Sequence, residues 1–146
     1  MKLTSQAFTN DGKIPDKYTK YGDNLIPPLH FESVPDKARS LALLVDDPDA
    51  PKGTFNHWLL FNVDPRTHDI KEGTVPVMAT QGQNDYGEIG YGGPQPPSGE
   101  HHYMFKAFAL DTVLPLARNA KRQEFEREIK GHVIDTATLV GKYARG

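Results

Sequence analysis

Cysteine is absent from the 146 residues of this chain. Disulfide bonds, thiolate metal sites and cysteine nucleophiles are therefore excluded. The chain also lacks an apolar run approaching the roughly 20 residues that a membrane span needs, and no apolar core of a secretory signal follows Met1–Ser5. We therefore expect a cytoplasmic protein without stable membrane insertion, folded as a single domain over residues 1–146.

Basic clusters are equally scarce. Lysine and arginine together number 17 against 19 acidic residues, the net charge is −2, and no basic run is longer than two residues. Because no positive field would attract phosphodiester backbones, we expect no nucleic-acid partner. The chain is instead rich in proline (12) and glycine (13), which concentrate in residues 26–28, 47–53 and 87–99. This distribution predicts short strands joined by many turns.

Three apolar segments have the length and composition of buried strands: Ser40–Asp46, Phe55–Val63 and His102–Leu110. Weaker patterns predict strands at Lys2–Phe8, Leu29–Val34 and around Val75–Val77. The last third of the chain changes period, because Phe125, Ile129, Val133 and Val140 recur at spacings of four and seven. This predicts an amphipathic helix that begins at an Asn119 cap, bends near Gly131 and stops at Gly141. The fold class is therefore mainly β, with a helical C-terminal segment.

Polar residues with chemical potential follow or interrupt the predicted strands. Asp47 belongs to a stiff Asp-Pro-Asp-Ala-Pro segment, which is also typical of an ordinary strand-ending turn. His57 lies in an apolar strand, where alternation would place it on one face with Leu59, Phe61 and Val63. A lone histidine there is more often a hydrogen-bonded core residue than a ligand group. Only residues 48–56 separate Asp47 from His57, so an antiparallel pair would bring them together.

A glycine- and proline-rich segment, residues 90–99, precedes His101 and Tyr103, which share one face of the next strand. Glycines let backbone amides approach a ligand closely, and prolines hold the loop extended. An imidazole, a phenol and free amides suit an anion. The alternatives are a plain surface loop, or a polyproline ligand of SH3-like domains, for which Pro94–Pro97 lacks the usual surroundings.

These motifs together resemble the phosphatidylethanolamine-binding protein family, in its short bacterial and archaeal YbhB/YbcL-like branch. The resemblance covers nearly the whole chain. It is carried by DPDAP at residues 47–51, NHWLLFN at 56–62, GYGGPQPPSGEHHY at 90–103 and GHVIDTATLVGKYAR at 131–145. The implied fold is a central β-sheet packed with a smaller second sheet and a few peripheral helices.

The resemblance also implies a binding pocket for phosphate, acetate or phosphorylethanolamine-like head groups. The matching positions for ligand binding are Asp47, His57, Gly93, Pro96, His101 and Tyr103. It implies no catalytic residue, no cofactor and no metal, and a homodimer is an expectation that rests on the family alone. Gln95 stands where bacterial relatives often have cysteine, and His102 where eukaryotic relatives often have arginine. Residues 1–146 also lack a counterpart of the eukaryotic C-terminal helix, so kinase inhibition is not carried over.

Two other functions stay open at this point. The chain is alternatively an interaction module, in which the loop of residues 92–98 docks onto a protease or kinase and the pocket modulates docking. It is less readily a metal-dependent hydrolase, because it has no HExxH spacing and no GxSxG motif, and only Asp47 and Asp49 of a Ca²⁺-loop pattern.

Overall fold

The computed structural model describes residues 1–145 as a mainly β fold with one short α-helix. A single 3₁₀ turn lies at Asp16–Tyr18. The strands and the helix, in chain order, are β1 Lys2–Thr4, β2 Gly12–Lys13, β3 Leu29–Glu32, β4 Ser40–Asp47, β5 Phe55–Val63, β6 Asp69–Ile70, β7 Thr80–Gln81, β8 Glu100–Leu110, α1 Arg122–Ile129 and β9 Val133–Ala144.

Two sheets build the molecule. The larger has six strands in the order β2-β9-β8-β4-β5-β7, and the smaller has three in the order β1-β3-β6. All pairings are antiparallel except that of β2 with β9. The fold predicted from the sequence, a central sheet with a second smaller sheet, is therefore confirmed.

Both faces of the large sheet are covered. On one face, Leu43 and Trp58 belong to a core that includes Phe31 of the small sheet. On the other face, Leu44 and Leu59 pack with residues of α1. Strand β4 is buried along its whole length because it lies in the middle of the sheet between these two cores, as its continuous apolar run indicates.

The predicted C-terminal helix is wrong beyond Ile129. Helix α1 covers only eight residues, starts after Lys121 rather than Asn119, and ends before Gly131, which has a φ of +81°. Residues 133–144 form a long strand paired with β8 along its whole length. Their β-branched residues favour extended backbone, and the four- and seven-residue apolar spacing held by coincidence. Gly141 lies inside this strand and packs against Ile14 and Phe8.

Three weaker strand predictions need correction as well. Val75–Val77 forms a loop and turn, and the neighbouring strand is β7 at Thr80–Gln81. The predicted strand Lys2–Phe8 is a strand only to Thr4, and the strand predicted at Leu29–Val34 ends at Glu32.

Candidate functional site

Strands β4 and β8 bring three of the predicted site residues together. They pair antiparallel with Asp46 opposite Met104, so Asp47 reaches the end of β4 beside the first residues of β8. Tyr103 belongs to the core between the two sheets, and alternation along β8 gives His101 the same face. The side chains of Asp47, His101 and Tyr103 therefore converge on one edge of that core.

A β-bulge brings His57 to the same place. Asn56 pairs with Asp46 and Trp58 pairs with Val45, so His57 is an extra residue in β5. As a result His57 shares a face with Trp58, and its ring packs edge-on against Tyr103 with centroids 5.2 Å apart. The predicted alternation of His57 with Leu59 and Phe61 is wrong, because those two side chains lie in the core on the helix side.

The glycine- and proline-rich loop closes the site from the side. The Gly92 amide donates to the His57 carbonyl at 2.9 Å, and the Tyr86 hydroxyl donates to the Gly93 carbonyl at 2.9 Å. The Tyr21 hydroxyl donates to the Pro96 carbonyl at 2.8 Å. These bonds satisfy loop backbone groups that would otherwise be buried unpaired, and they hold the loop against the strand ends.

A cavity of about 190 Å³ lies between these elements. Its floor is formed by the polar groups of the strands, and its walls are mostly apolar or aromatic. The residues that line it are Asp47, Ala50, Pro51, Phe55, His57, Tyr86, Gln95, Pro96, Pro97, His101 and Tyr103. A small apolar cavity with a few convergent polar groups is typical of a ligand site.

Asp47 and His101 form a buried pair at the cavity. His101 Nδ1 lies 2.6 Å from Asp47 Oδ2, and both side chains are less than a tenth exposed. The other carboxylate oxygen of Asp47 accepts from the Asp49 amide at 2.8 Å. Because the Nδ1–H of His101 donates to the Asp47 carboxylate, Nε2 is the ring nitrogen that remains available for a ligand.

His57 has a different environment. Its Nδ1 lies 2.7 Å from the Gly92 carbonyl oxygen, which can only accept, so Nδ1 carries the proton. Burial lowers the pKa of His57 below 6.5, although the carboxylates of Asp47 and Asp85 oppose this effect. The neutral ring therefore leaves Nε2 as an unprotonated acceptor.

The Tyr103 hydroxyl is buried and has no hydrogen-bond partner among residues 1–145. The side chain is 0% exposed and lines the cavity between the two histidines. Burial raises the pKa of Tyr103, so the hydroxyl stays protonated and can donate. An unpaired buried hydroxyl is costly and is typical of a site that a ligand or water completes.

Five of the six residues predicted for ligand binding line this cavity, and Gly93 does not. The Gly93 amide donates to Asn24 Oδ1 at 2.7 Å, and a side chain at this position would collide with the Tyr18 carbonyl. Because Gly93 has no side chain, the loop can approach the segment that contains Tyr18 and Asn24 closely.

Phe55 and Tyr86 line the cavity although no sequence pattern predicts this role for them. Tyr86 lies in a segment with no pattern of its own, and the apolar pattern around Phe55 predicts only a strand.

Comparison with known proteins places the chain. A family model described as phosphatidylethanolamine-binding protein matches residues 4–144. The chain belongs to the phosphatidylethanolamine-binding protein family. Relatives include UPF0098 proteins from Methanothermobacter thermautotrophicus, 45% identical with 100% of both chains covered, and from Pyrococcus abyssi, 46% identical with 99% of this chain and 86% of the relative covered.

Crystal structures of family members have the same fold. CT736 of Chlamydia trachomatis, a phosphatidylethanolamine-binding protein homolog, is 41% identical with a TM-score of 0.95, over 99% of this chain and 97% of its own. YbcL of E. coli, a member of the mammalian family, is 28% identical with a TM-score of 0.93, over 99% and 98%. The resemblance inferred from the sequence motifs is thereby confirmed, and membership makes the chain a binding protein of the phosphatidylethanolamine-binding type.

Two further features concern the residues that the structure describes. None of its helices within residues 1–145 is both long and apolar enough to cross a bilayer. The same residues contain no cluster of three or more histidine or carboxylate side chains arranged to hold a metal ion.

Proposed function

We propose that this family member binds a small oxyanion, such as phosphate or a phosphorylated head group, in the cavity between Asp47, His57, His101 and Tyr103. The observation that carries the proposal is the buried, unpaired hydroxyl of Tyr103 between the two histidines. A phosphoryl oxygen would accept from this hydroxyl and replace the water that it lost on folding.

The size of the cavity supports a head group rather than a lipid chain. Its volume of about 190 Å³ lies below the roughly 300–1,000 Å³ of sites for drug-sized ligands. A larger, open depression of about 810 Å³ lies over the small sheet near His30 and Asp69. None of its side chains is a buried polar group without a partner among residues 1–145, so it has less to gain from a ligand.

Asp47 makes the charge state of the ligand important. Two unit charges 4 Å apart repel by about 4 kcal/mol at an effective dielectric constant of about 20. The contact of Asp47 with His101 supports a site in which His101 binds as an imidazolium, since the ion pair is then neutral and Nε2–H donates to the anion. The free acceptor on neutral His57 favours a ligand that still carries an O–H, which a phosphoryl group does as a monoanion.

The test is an NMR titration of the ¹⁵N-labelled protein with inorganic phosphate and with O-phosphorylethanolamine at pH 6. We expect saturable shifts at residues 90–103 and around Asp47 and His57, and their loss in His101→Ala. The matched control is His132→Ala, which breaks an exposed histidine–aspartate pair with Asp111 of nearly the same length, 2.7 Å. Repeated between pH 5.5 and 8, the titration should show affinity falling as the pH rises, because a phosphoryl monoanion loses its last proton with a pKa of about 6 and then has no O–H for His57.

Absence of shifts in the wild type at pH 6 would refute the proposal and would make docking of a protein partner the leading hypothesis. Affinity that is flat or rises between pH 5.5 and 8 would leave the anion site but contradict the histidine account.

A further inference from the structure

The side chain of Asn56 lies on the helix side of the large sheet, opposite the cavity, since it contacts Asp46, which is bonded to Arg122 of α1. It is fully buried. Its Nδ2 lies 3.2 Å from the Val45 carbonyl and 3.1 Å from the Trp58 carbonyl, the two residues that face each other at the bulge. Three acceptors surround this nitrogen, the third being Asp46 Oδ1 at 3.1 Å, so the orientation of the amide is fixed.

The oxygen of the Asn56 amide indicates that this side chain serves as a hydrogen-bond donor. Asn56 Oδ1 is buried and has no partner among residues 1–145. An apolar side chain would avoid that unpaired acceptor, and both neighbouring cores are apolar. The strand nevertheless has an amide at this position, and its nitrogen reaches both carbonyls of the bulge.

The main chain of Asn56 is also held by hydrogen bonds to a residue outside the strands. Its amide donates to Asp85 Oδ2 at 2.7 Å, and its carbonyl accepts from the Asp85 amide at 2.9 Å. Asp46, in turn, is held by Arg122 at the start of α1, with Nε 3.0 Å from Oδ2. The bulge is thus fixed from the loop side by Asp85 and from the helix side by the Asn56 amide.

We propose that Asn56 is a positioning residue that holds the bulge and thereby turns the His57 ring toward the Gly92 carbonyl and the cavity. The extra residue of a bulge interrupts the alternation of side chains along a strand. Without the bulge, regular alternation would place the side chains of residues 57 and 58 on opposite faces of the sheet. The inference rests on the proposed function only for its effect on anion affinity, since the orientation of His57 is a property of the free protein.

The experiment compares the ¹⁵N-histidine spectra of the wild type, Asn56→Ala and Asn62→Gly in the absence of any anion. Asn62 is the matched control, because it is also an asparagine at a register shift of β5 and bonds to the main chain of Leu114. Its φ of +55° suits glycine.

In the wild type and in Asn62→Gly we expect His57 as the neutral Nδ1–H tautomer. In Asn56→Ala we expect that signal to be lost and the pKa of His57 to rise toward 6.5, because the ring leaves its buried place near Asp47, Asp85, Tyr86 and Tyr103. Phosphate affinity should fall roughly 10- to 100-fold, by analogy with the loss of metal affinity when a residue that orients a metal-ligating histidine is removed.

A folded Asn56→Ala that keeps the Nδ1–H signal of His57 overturns the inference, whether or not phosphate binds. If the wild type fails to bind phosphate while the tautomer still changes, the positioning role stands and only the proposed function falls. If Asn56→Ala does not fold, Asn56→Ser keeps one donor in a smaller side chain. It should give the same change in part, and an unchanged His57 signal in Asn56→Ser likewise overturns the inference.

Discussion

Tyr103 combines a ring that fits the core with a hydroxyl that nothing in residues 1–145 satisfies. The ring packs edge-on against His57 and lies nearly parallel to His101. The hydroxyl is therefore unfavourable in the free protein and useful only when an acceptor enters the cavity. Removing the hydroxyl oxygen of Tyr103 therefore tests its effects on stability and on binding separately.

Tyr103→Phe should stabilise the free protein by up to about 1 kcal/mol and weaken phosphate binding by roughly tenfold, since a buried unpaired donor disappears along with one bond to the anion. Urea unfolding and the phosphate titration measure the two effects. The control is Tyr91→Phe, which removes a hydroxyl that donates to the Tyr18 carbonyl at 2.7 Å. It should destabilise the protein by about 1 kcal/mol and leave binding unchanged. Destabilisation by Tyr103→Phe with unaltered affinity would contradict a ligand role for the hydroxyl.

At the scale of elements, the loop of residues 82–99 is a wall built by hydrogen bonds rather than by a hydrophobic core of its own. Asn84 bonds to the Gly90 carbonyl and accepts from the Tyr86 amide, so the loop is internally braced. The Lys20 amide donates to the Pro94 carbonyl at 2.9 Å, which ties the loop to the segment before β3. Close approach of this segment to the loop requires glycine at position 93.

Gly93→Ala should destabilise the protein by about 1–3 kcal/mol, because the new methyl group meets the Tyr18 carbonyl and Asn24 Oδ1 and the loop must move. Since the Gly93 carbonyl holds the Tyr86 hydroxyl, phosphate binding should weaken too. Thermal unfolding and the titration provide the measurements. Gly99→Asn is the control, because its site is open and its φ of +72° is tolerated by asparagine. Equal stability of the two variants would show that the loop has more freedom than this packing allows.

At the scale of the whole molecule, the large sheet separates two cores and carries the site at one edge of the first. Folding buries His57 in its neutral form, whereas the unfolded chain takes up a proton near pH 6.5. Stability from this residue is therefore fully present above pH 6.5 and is lost as the pH falls through the lower pKa of the folded state. His57 therefore contributes both to the lining of the cavity and to the acid sensitivity of the fold.

The free energy of unfolding should decrease between pH 7.5 and pH 5, and His57→Gln should flatten that decrease, because glutamine does not titrate. Urea unfolding at a series of pH values gives the slope. His132→Gln, at an exposed histidine, should keep the slope of the wild type. An unchanged slope in His57→Gln would mean that other groups cause the acid sensitivity.

Local sequence patterns and motifs predicted the fold class, the three long central strands and five of the eleven residues that line the cavity. These depend on local signals: continuous apolar runs predict buried strands, and proline and glycine mark the loops that end them. The motifs around Asp47, His57 and His101 also identified the family.

The direction of His57 depends on tertiary contacts, and so does the last strand, whose β-branched residues need the pairing with β8 to form it. Residues 133–144 become a strand because β8 offers a free edge along its whole length, which no local pattern reports. His57 faces the cavity because an extra residue is accommodated opposite Val45, with Asn56 and Asp85 fixing the main chain around it. A bulge depends on hydrogen bonds between residues distant in the chain, whereas alternation can be read from neighbours, so the sequence predicted the residue and only the fold determined its face.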